Sequence, residues 1–260
     1  MQSIATAFIE TEDGAIECLR ANPGADPARG CFVLLHGIQG TAATWVEIAA
    51  RLGSERAILM PNLRGRGRSH APQDPGAYTL EHFAAGLQAV IEAAPGPVTL
   101  VGWSMGVLVS LTCIARYGQR KLDGLVLASG TARPAGEAAW FQADTPAGVA
   151  EEARARAERL ALTAYAAPMA VAGAWASVRT ADLRSVLGGI GVPTLVLHGE
   201  RDDQCPLAHG RLIAAGIPEA TLEIWPGGGH NLMAEHPQRF TDAVLRLYAA
   251  ARLDRVSGTQ

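Results

Sequence analysis

Short apolar runs alternate with longer amphipathic segments along most of the chain. The short runs are too brief for helices, whereas apolar residues in the longer segments recur at helical spacing. Two alternating runs around Asp13-Gly14 give a strong signal for a β-hairpin. The pattern predicts strands at 4–10, 15–20, 31–35, 57–60, 98–101, 122–128, 193–197 and 221–225. It predicts helices at 44–52, 80–93, 107–117, 207–215 and 238–253.

The alternation of strands and helices predicts an α/β fold, with a mostly parallel central sheet that carries helices on both faces. Residues 133–187 interrupt this alternation, since they are rich in alanine and show helical spacing throughout without a strand candidate. We interpret them as a small inserted helical lid, which leaves 1–132 and 188–256 as the core. The charged run 151–159 is typical of a solvated helix face, and the tail 257–260 is predicted to be disordered.

Composition and charge narrow the classes of partner. The 260 residues are 48% hydrophobic and 18% charged, which is typical of a globular protein. A net charge of −3 gives no electrostatic reason to expect nucleic acid or an anionic membrane as partner, so we expect a small-molecule substrate. The start of the chain lacks the regions of a signal peptide, and no run approaches the roughly 20 apolar residues of a membrane span. These features predict a cytoplasmic protein, as a monomer or a homodimer.

The sequence contains no pattern that indicates a metal or cofactor site. Cys18, Cys31, Cys113 and Cys205 are scattered, and no His or Cys pair has convincing metal-ligand spacing. The alternating arginines and glycines at 64–68 lack the P-loop pattern for phosphate and serve a tight turn equally well. We therefore expect no cofactor, no metal and no disulfide.

The sequence Gly-Trp-Ser-Met-Gly at 102–106 lies between a predicted strand and a predicted helix. A sharp turn at such a junction lifts the serine oxygen clear of the sheet edge, and flanking glycines let backbone pass where a Cβ would clash. Ser104 is therefore a candidate nucleophile. The pattern alone is equally compatible with an ordinary turn serine, so the decision depends on other residues at the same sheet edge.

Two further loops after predicted strands carry groups that would activate a serine. The loop 198–206 contains Asp202 and Asp203, and a later loop places His230 after three glycines. Because the carboxyl ends of parallel strands lie at one edge of a sheet, these groups are expected to converge on Ser104. A serine hydroxyl is a weak nucleophile alone, and a histidine with a reference pKa of about 6.5 is a suitable base for it at neutral pH.

The order serine, acid, histidine is that of the α/β-hydrolase arrangement. The chain resembles the α/β-hydrolase superfamily, specifically its lid-bearing branch of esterases, C–C hydrolases and haloperoxidase-like enzymes. His-Gly-Ile-Gln-Gly at 36–40 is similar to the oxyanion loop of that branch, 64–69 to its Arg-Gly-x-Gly-x-Ser segment, and 199–206 to its acid loop. Asn62 departs from the pattern, because an aspartate is common there, and this leaves the ion pairing of Arg64 open.

The resemblance implies a role for each group. It assigns the acid to Asp202, with Asp203 as the adjacent rival, because Asp202 has the family spacing from the glycine and the proline of the acid loop. The acid would orient His230 and stabilise the imidazolium that forms. The resemblance also implies that the backbone N–H groups of Ile38 and Met105 form the oxyanion hole.

Substrate choice is expected to depend on apolar residues of the lid and the catalytic loops, since ligand sites are mostly apolar with a few polar groups. The expected pocket residues are Gln39, Trp103, Trp140, Phe141, Met169, Trp175 and Leu232. The machinery predicts a serine hydrolase that cleaves an ester, lactone or thioester of a small, largely apolar carboxylic acid through an acyl-enzyme. The alternatives are a C–C bond hydrolase, an acyltransferase or a perhydrolase with the same triad, and a slow-turnover ligand receptor on the same scaffold.

Overall fold

One sheet runs through the centre of the molecule and carries the loops of interest at one edge. The computed structural model describes residues 3–134, 140–159 and 161–257. The strands in these residues are β1 (Ile4–Ile9), β2 (Ile16–Ala21), β3 (Cys31–Leu35), β4 (Ala57–Pro61), β5 (Val98–Trp103), β6 (Leu122–Ala128), β7 (Thr194–Gly199) and β8 (Thr221–Trp225). Their order across the sheet is β1-β2-β4-β3-β5-β6-β7-β8.

The sheet is parallel except at one end. β1 and β2 form an antiparallel hairpin in which Ile9 pairs with Ile16, and β2 pairs antiparallel with β4. All pairings from β4 to β8 are parallel. The loops that follow β3, β5, β7 and β8 therefore lie at the same edge of the sheet, as expected for ligand sites in open α/β sheets.

Helices cover both faces of the sheet. They are α1 (Val46–Leu52), α2 (Leu80–Ala93), α3 (Met105–Tyr117), α4 (Pro146–Arg159), α5 (Pro168–Val178), α6 (Arg184–Leu187), α7 (Leu207–Gly216), α8 (Leu232–Glu235) and α9 (Pro237–Ser257). α1 and α9 pack against each other on one face, whereas α2, α3 and α7 contribute to the core of the other. The predicted α/β architecture is confirmed.

The apolar runs of the sequence are strands buried on both faces. Along β3, Phe32 and Leu34 belong to the core beneath α1 and α9, whereas Val33 and Leu35 belong to the core beneath α2 and α3. This alternation follows from the pleat, which directs successive side chains to opposite faces. A strand with helices on both sides must therefore be apolar at every position, which is the pattern the sequence shows.

The predicted elements match the structure closely, with differences at their ends. The helix at 80–93 and the strands at 122–128 and 221–225 have the predicted bounds. α3 begins two residues before the predicted start, because the turn residue Ser104 leads directly into it. α9 continues through Ser257, so the predicted disordered tail is wrong at that residue, and the rest of the tail lies outside the described residues.

The segment 133–187, which we call the insertion, lies between β6 and β7, and its described residues include the helices α4, α5 and α6. The prediction that this segment is helical throughout is wrong, since 140–145 and 161–167 are irregular. α4 and α5 pack against each other, and α5 also contacts α2. The Leu80 N–H donates to Oγ of Ser177 at 3.0 Å, which ties α5 to the start of α2. The insertion thus rests on the α2 side of the core.

The structure gives no sign of a membrane span or a metal site in the residues it describes. Within the described ranges, no helix is long and apolar enough to cross a membrane. The same residues contain no cluster of three or more His, Cys, Asp or Glu side chains that could hold a metal ion. The four cysteines are buried and free, and burial raises the pKa of Cys113 to about 12.

Candidate active site

Ser104 occupies the sharp turn between β5 and α3. Its φ of 56° and ψ of −119° are rarely adopted by a residue with a side chain, and such strain is typical of functional sites. Its N–H donates to the Ala128 carbonyl at 3.0 Å, which ties the turn to β6. The flanking glycines are required, because a Cβ on Gly102 would lie 2.7 Å from the Gly106 carbonyl oxygen, and one on Gly106 would lie 2.7 Å from that of Leu35. The turn therefore holds Ser104 at the carboxyl edge of the sheet.

Ser104, His230 and Asp202 form a continuous hydrogen-bonded chain. Nε2 of His230 lies 3.0 Å from Oγ of Ser104. The other ring nitrogen, Nδ1, lies 2.9 Å from Oδ1 and 3.0 Å from Oδ2 of Asp202. A carboxylate only accepts hydrogen bonds, so it fixes the proton on Nδ1 and leaves Nε2 to accept the serine proton. The arrangement has the donor and acceptor order that activates a serine hydroxyl.

The acid loop buries the side chain of Asp202 and leaves the side chain of Asp203 exposed. The Asp202 side chain is fully buried, and its Oδ1 accepts the backbone N–H groups of Gln204 at 2.9 Å and Cys205 at 2.8 Å. Asp203 is exposed, and its Oδ1 accepts a hydrogen bond from Nε2 of Gln204 at 3.2 Å. The geometry therefore supports Asp202 as the partner of His230.

A second histidine lies beneath the acid loop. His198 is fully buried at the end of β7, and its Nε2 donates to the Cys205 carbonyl at 2.7 Å. The same nitrogen lies 3.6 Å from Oδ2 of Asp202. Burial lowers the pKa of His198, so the ring is neutral and carries its proton on Nε2. His198 thus fixes the loop that presents the carboxylate.

The loop that carries His230 is held from both sides. The Glu235 carboxylate accepts the backbone N–H groups of Gly229 at 2.7 Å and Asn231 at 3.1 Å, the two residues that flank the histidine. Nε1 of Trp103 donates to the His230 carbonyl at 2.9 Å, and the two rings lie 5.4 Å apart. Sequence reasoning missed Glu235, although its position one turn after the histidine was a usable signal.

The oxyanion loop at 36–40 passes directly beside Ser104. A Cβ on Gly37 would lie 3.2 Å from the Ser104 Cβ. The Ile38 carbonyl accepts Nη2 of Arg66 at 2.6 Å, and this buried guanidinium also donates to the Arg64 carbonyl at 2.7 Å. In the described part of the chain, the Ile38 and Met105 backbone N–H groups have no acceptor. Both are therefore available to a substrate oxygen, as the oxyanion-hole prediction requires.

His36, at the start of this loop, is a structural residue. It is fully buried, and its Nδ1 donates to the Gly37 carbonyl at 2.8 Å while its Nε2 accepts the Leu63 N–H at 3.1 Å. Burial lowers the pKa of His36 to about 3, and the nearby Arg66 charge acts in the same direction. The ring is therefore neutral and fully used in fixing the loop.

The contacts of Asn62 explain why an asparagine stands here in place of the aspartate that is common in the family. Its Oδ1 accepts the Ala42 N–H at 2.7 Å, and its Nδ2 donates to Oε2 of the buried Glu17 at 2.8 Å. An aspartate at this position would place two carboxylates in contact, so the amide suits a chain that has Glu17 here. Arg64 pairs instead with Asp13, at 3.2 Å.

A cavity of about 480 Å³ opens at Ser104 and His230. This volume lies within the range of small-molecule sites, roughly 300–1,000 Å³. Of the seven pocket residues expected from the sequence, Gln39, Trp103 and Trp140 line it. The further described lining residues are Ile38, Gly40, Thr44, Arg156, Arg159, Leu162, Ala164, Asp203, Gln204, Asn231, Met233 and Ala234.

The other four expected pocket residues lie elsewhere, which corrects the prediction. Phe141 and Trp175 pack together with their rings 5.8 Å apart, as part of the buried core on the α2 and α3 side of the sheet. Met169 is 45% exposed on α5, away from the cavity. Leu232 is fully buried and packs at Gly228, where a Cβ would lie 2.9 Å from the leucine Cδ2. None of the four lines the cavity.

The charged run on α4 is not only a solvated face, as the sequence suggested. Arg156 and Arg159 line the cavity, and Arg156 donates through Nη2 to the Trp140 carbonyl at 2.5 Å. Burial lowers the pKa of Arg156, and the like charge of Arg159 lowers it further. The packing of α4 therefore places two arginines in the wall of a cavity that was expected to be apolar.

The fold and this catalytic geometry are those of a serine hydrolase with an α/β fold. A model of the alpha/beta hydrolase family matches residues 32–243, and the chain belongs to that family. It is 31% identical over 247 residues to the pimeloyl-[acyl-carrier protein] methyl ester esterase of Cronobacter sakazakii, covering 84% of this chain and 92% of that relative. The esterase of the same description from Chromobacterium violaceum is 26% identical over 241 residues, with coverages of 82% and 91%.

A solved structure shows the same fold. The esterase EaEST from Exiguobacterium antarcticum superposes with a TM-score of 0.80 at 22% identity. The match covers 94% of this chain and 100% of that one. At this identity the likeness concerns the fold, including the parallel sheet and the helices on its two faces.

Proposed function

We propose that this chain is a carboxylic ester hydrolase that works through an acyl-enzyme on Ser104. The observation that carries the proposal is the hydrogen-bonded chain from Ser104 through His230 to Asp202, which ends in a cavity beside two free backbone N–H groups. Membership in the alpha/beta hydrolase family and the similarity to methyl ester esterases support the same reaction.

The geometry gives each group one task. Oγ of Ser104 attacks the ester carbonyl carbon while Nε2 of His230 takes the hydroxyl proton. Asp202 accepts the Nδ1 proton and stabilises the imidazolium. The Ile38 and Met105 N–H groups receive the negative oxygen of the tetrahedral intermediate. The ester C–O bond then breaks, and His230 gives its proton to the departing alcohol.

Water completes the turnover. His230 takes a proton from a water molecule, whose oxygen attacks the acyl carbon of the Ser104 ester. When the C–Oγ bond breaks, the proton returns to Ser104 and the carboxylic acid leaves. A thiol, an alcohol or hydrogen peroxide in place of water would give acyl transfer or perhydrolysis, so the triad alone does not choose between these outcomes.

The cavity favours an ester whose acyl chain is apolar near the reacting carbon and anionic further out. Trp103, Ile38 and Met233 provide apolar walls, whereas Arg156 and Arg159 add positive charge and Asp203 adds one negative charge. An acyl chain with a methyl ester at one end and an anionic carrier at the other fits this distribution, as does the smaller half-ester of a dicarboxylic acid. The relatives described above are esterases of a pimeloyl-[acyl-carrier protein] methyl ester, which agrees with this candidate.

The remaining features belong to the same proposal. We propose that the insertion 133–187 acts as the lid over the catalytic loops, and that 1–132 and 188–256 form the core. We further propose action in the cytoplasm, as a monomer or a homodimer. Light scattering after size-exclusion chromatography measures the oligomeric state directly.

The test compares the purified protein with a Ser104→Ala variant on panels of p-nitrophenyl esters, lactones, thioesters and dicarboxylic acid methyl esters. A fluorophosphonate probe should label the wild type at one site per chain and should not label the variant. Esterolysis by Ser104→Ala at the wild-type rate would remove the nucleophile assignment. Ligand-dependent stabilisation of a protein with almost no turnover would point instead to a receptor.

A further inference from the structure

Gln39 joins the oxyanion loop to the insertion by two hydrogen bonds. Its side-chain Nε2 donates to the Ala153 carbonyl of α4 at 2.5 Å. Its backbone carbonyl accepts the N–H of Ala166, in the segment that leads into α5, at 3.0 Å. The Gln39 side chain is buried, and among the described residues its Oε1 has no hydrogen-bond partner. The bond to the insertion thus orients the amide, since only its nitrogen can face a carbonyl oxygen.

The two preceding carbonyl groups of the loop are held without the insertion. The Gly37 carbonyl accepts Nδ1 of His36 and the Gly40 N–H, both within the loop, and the Ile38 carbonyl accepts Nη2 of Arg66 from the core. The Gln39 carbonyl instead accepts the Ala166 N–H of the insertion. The peptide plane that contains the Ile38 N–H is therefore followed, two residues later, by a plane that the insertion holds.

We propose that Gln39 is a positioning residue that aligns the Ile38 N–H with the reacting carbonyl oxygen by tying the oxyanion loop to α4. The proposal rests on the ester hydrolysis proposed above. Rotation of the Gln39 side chain away from α4 leaves the backbone bond from Ala166 as the remaining tie between this residue and the insertion. The Ile38 N–H can then shift away from the oxyanion. Gln39 does not touch the reacting atoms.

The same contact couples substrate binding to the position of the oxyanion hole. Ala153 and Arg156 lie almost one helical turn apart on α4, and Arg156 lines the cavity. A substrate that engages Arg156 restrains the helix that holds Gln39. Full loss of one oxyanion donor lowers kcat by about 10²–10³-fold, so misalignment of a donor that remains present should lower it by about tenfold.

The experiment compares Gln39→Met with wild type and with Gln142→Met. The methionine at 39 keeps the side-chain length and removes the donor to Ala153. Gln142 is an exposed residue of the insertion, so the same substitution there controls for a general effect on this region. A Gln39→Asn variant, too short to reach Ala153, provides a second test if the methionine variant does not fold. Thermal unfolding verifies the fold of each protein.

We expect Gln39→Met to lower kcat about tenfold with KM within about twofold of wild type, because alignment matters in the transition state. Its affinity for a boronic acid, whose oxygen enters the oxyanion hole, should fall in parallel. Gln142→Met should match wild type in both. Unchanged kcat and boronate affinity in a folded variant, or a change in KM alone, would overturn the proposal. Absence of ester turnover by the wild type would instead remove the proposed function.

Discussion

Replacement of Asp202 by asparagine tests the catalytic geometry at its most informative point. In the wild type, Oδ1 of Asp202 accepts the N–H groups of Gln204 and Cys205 as well as the His230 proton. In Asp202→Asn, the two backbone donors still need an acceptor, so the amide oxygen stays with them. The amide NH₂ group then faces Nδ1 of His230. Because that group only donates, its contact with Nδ1 favours the tautomer with the imidazole proton on Nε2.

This change of tautomer removes the base without removing the histidine. With the proton on Nε2, the ring donates toward Oγ of Ser104 and can no longer accept the serine proton. The equivalent change in a Ser-His-Asp triad lowers kcat by about 10⁴-fold, which corresponds to about 5.4 kcal/mol of transition-state stabilisation. We expect a loss of the same order here, because the Asp202 side chain is fully buried and water cannot replace it.

The assay measures kcat and KM on the best ester of the panel, with Asp203→Asn as the matched control. Asp203 lies next in sequence and is exposed, and its Oδ1 bonds to the side chain of Gln204. Asp203→Asn should therefore keep kcat within about threefold of wild type, and any larger effect should fall on KM, because Asp203 lines the cavity. Both variants should unfold near the wild-type temperature, since neither loses volume. If Asp203→Asn abolished turnover while Asp202→Asn retained most of it, the tautomer argument would be refuted.

Two further predictions concern stability. The pKa of His36 is about 3 in the folded protein and about 6.5 when unfolded, so the unfolded chain binds the additional proton between these values and stability falls as the pH drops. From pH 7.5 to pH 5 this residue alone should lower the free energy of unfolding by about 2 kcal/mol in urea titrations, and an unchanged value would contradict the assignment. Gly106→Ala should cost about 1–3 kcal/mol, because its Cβ would meet the Leu35 carbonyl oxygen of β3 at 2.7 Å. Gly24→Ala, with open space around it, is the control and should leave the urea midpoint unchanged.

The sequence predicts the fold and the triad because the relevant signals are local. A strand buried on both faces must be a solid apolar run, and an amphipathic helix must repeat at helical spacing. Ser104 and Asp202 each follow such a strand, whereas His230 follows the edge strand β8, and glycines mark all three turns. The parallel sheet then places the three loops at one edge, so residues distant in sequence meet without any further information.

The cavity wall could not be predicted in the same way, because it depends on the orientation of whole elements. Arg156 and Arg159 belong to a run with alternating charges, and only the packing of α4 on the core decides which of its faces meets the cavity. In α8, the structure turns Leu232 inward and Met233 toward the cavity. A helix of four residues is too short for its sequence to show which side chains face the core and which face the cavity. Trp175 has a similar ambiguity, since a large aromatic residue suits a core and a pocket equally.

The triad and the oxyanion loop are supported by different parts of the molecule. Ser104 is held by β6, Asp202 by its own loop and His230 by Glu235. The insertion also reaches the acid loop, because Nε1 of Trp140 donates to the Gln204 carbonyl at 3.0 Å. The oxyanion loop depends also on the insertion, through Gln39. Substitutions in the insertion should therefore change substrate choice and kcat together while leaving the triad intact. A fluorophosphonate, which reports the triad nucleophile, would then still label insertion variants whose ester turnover has fallen.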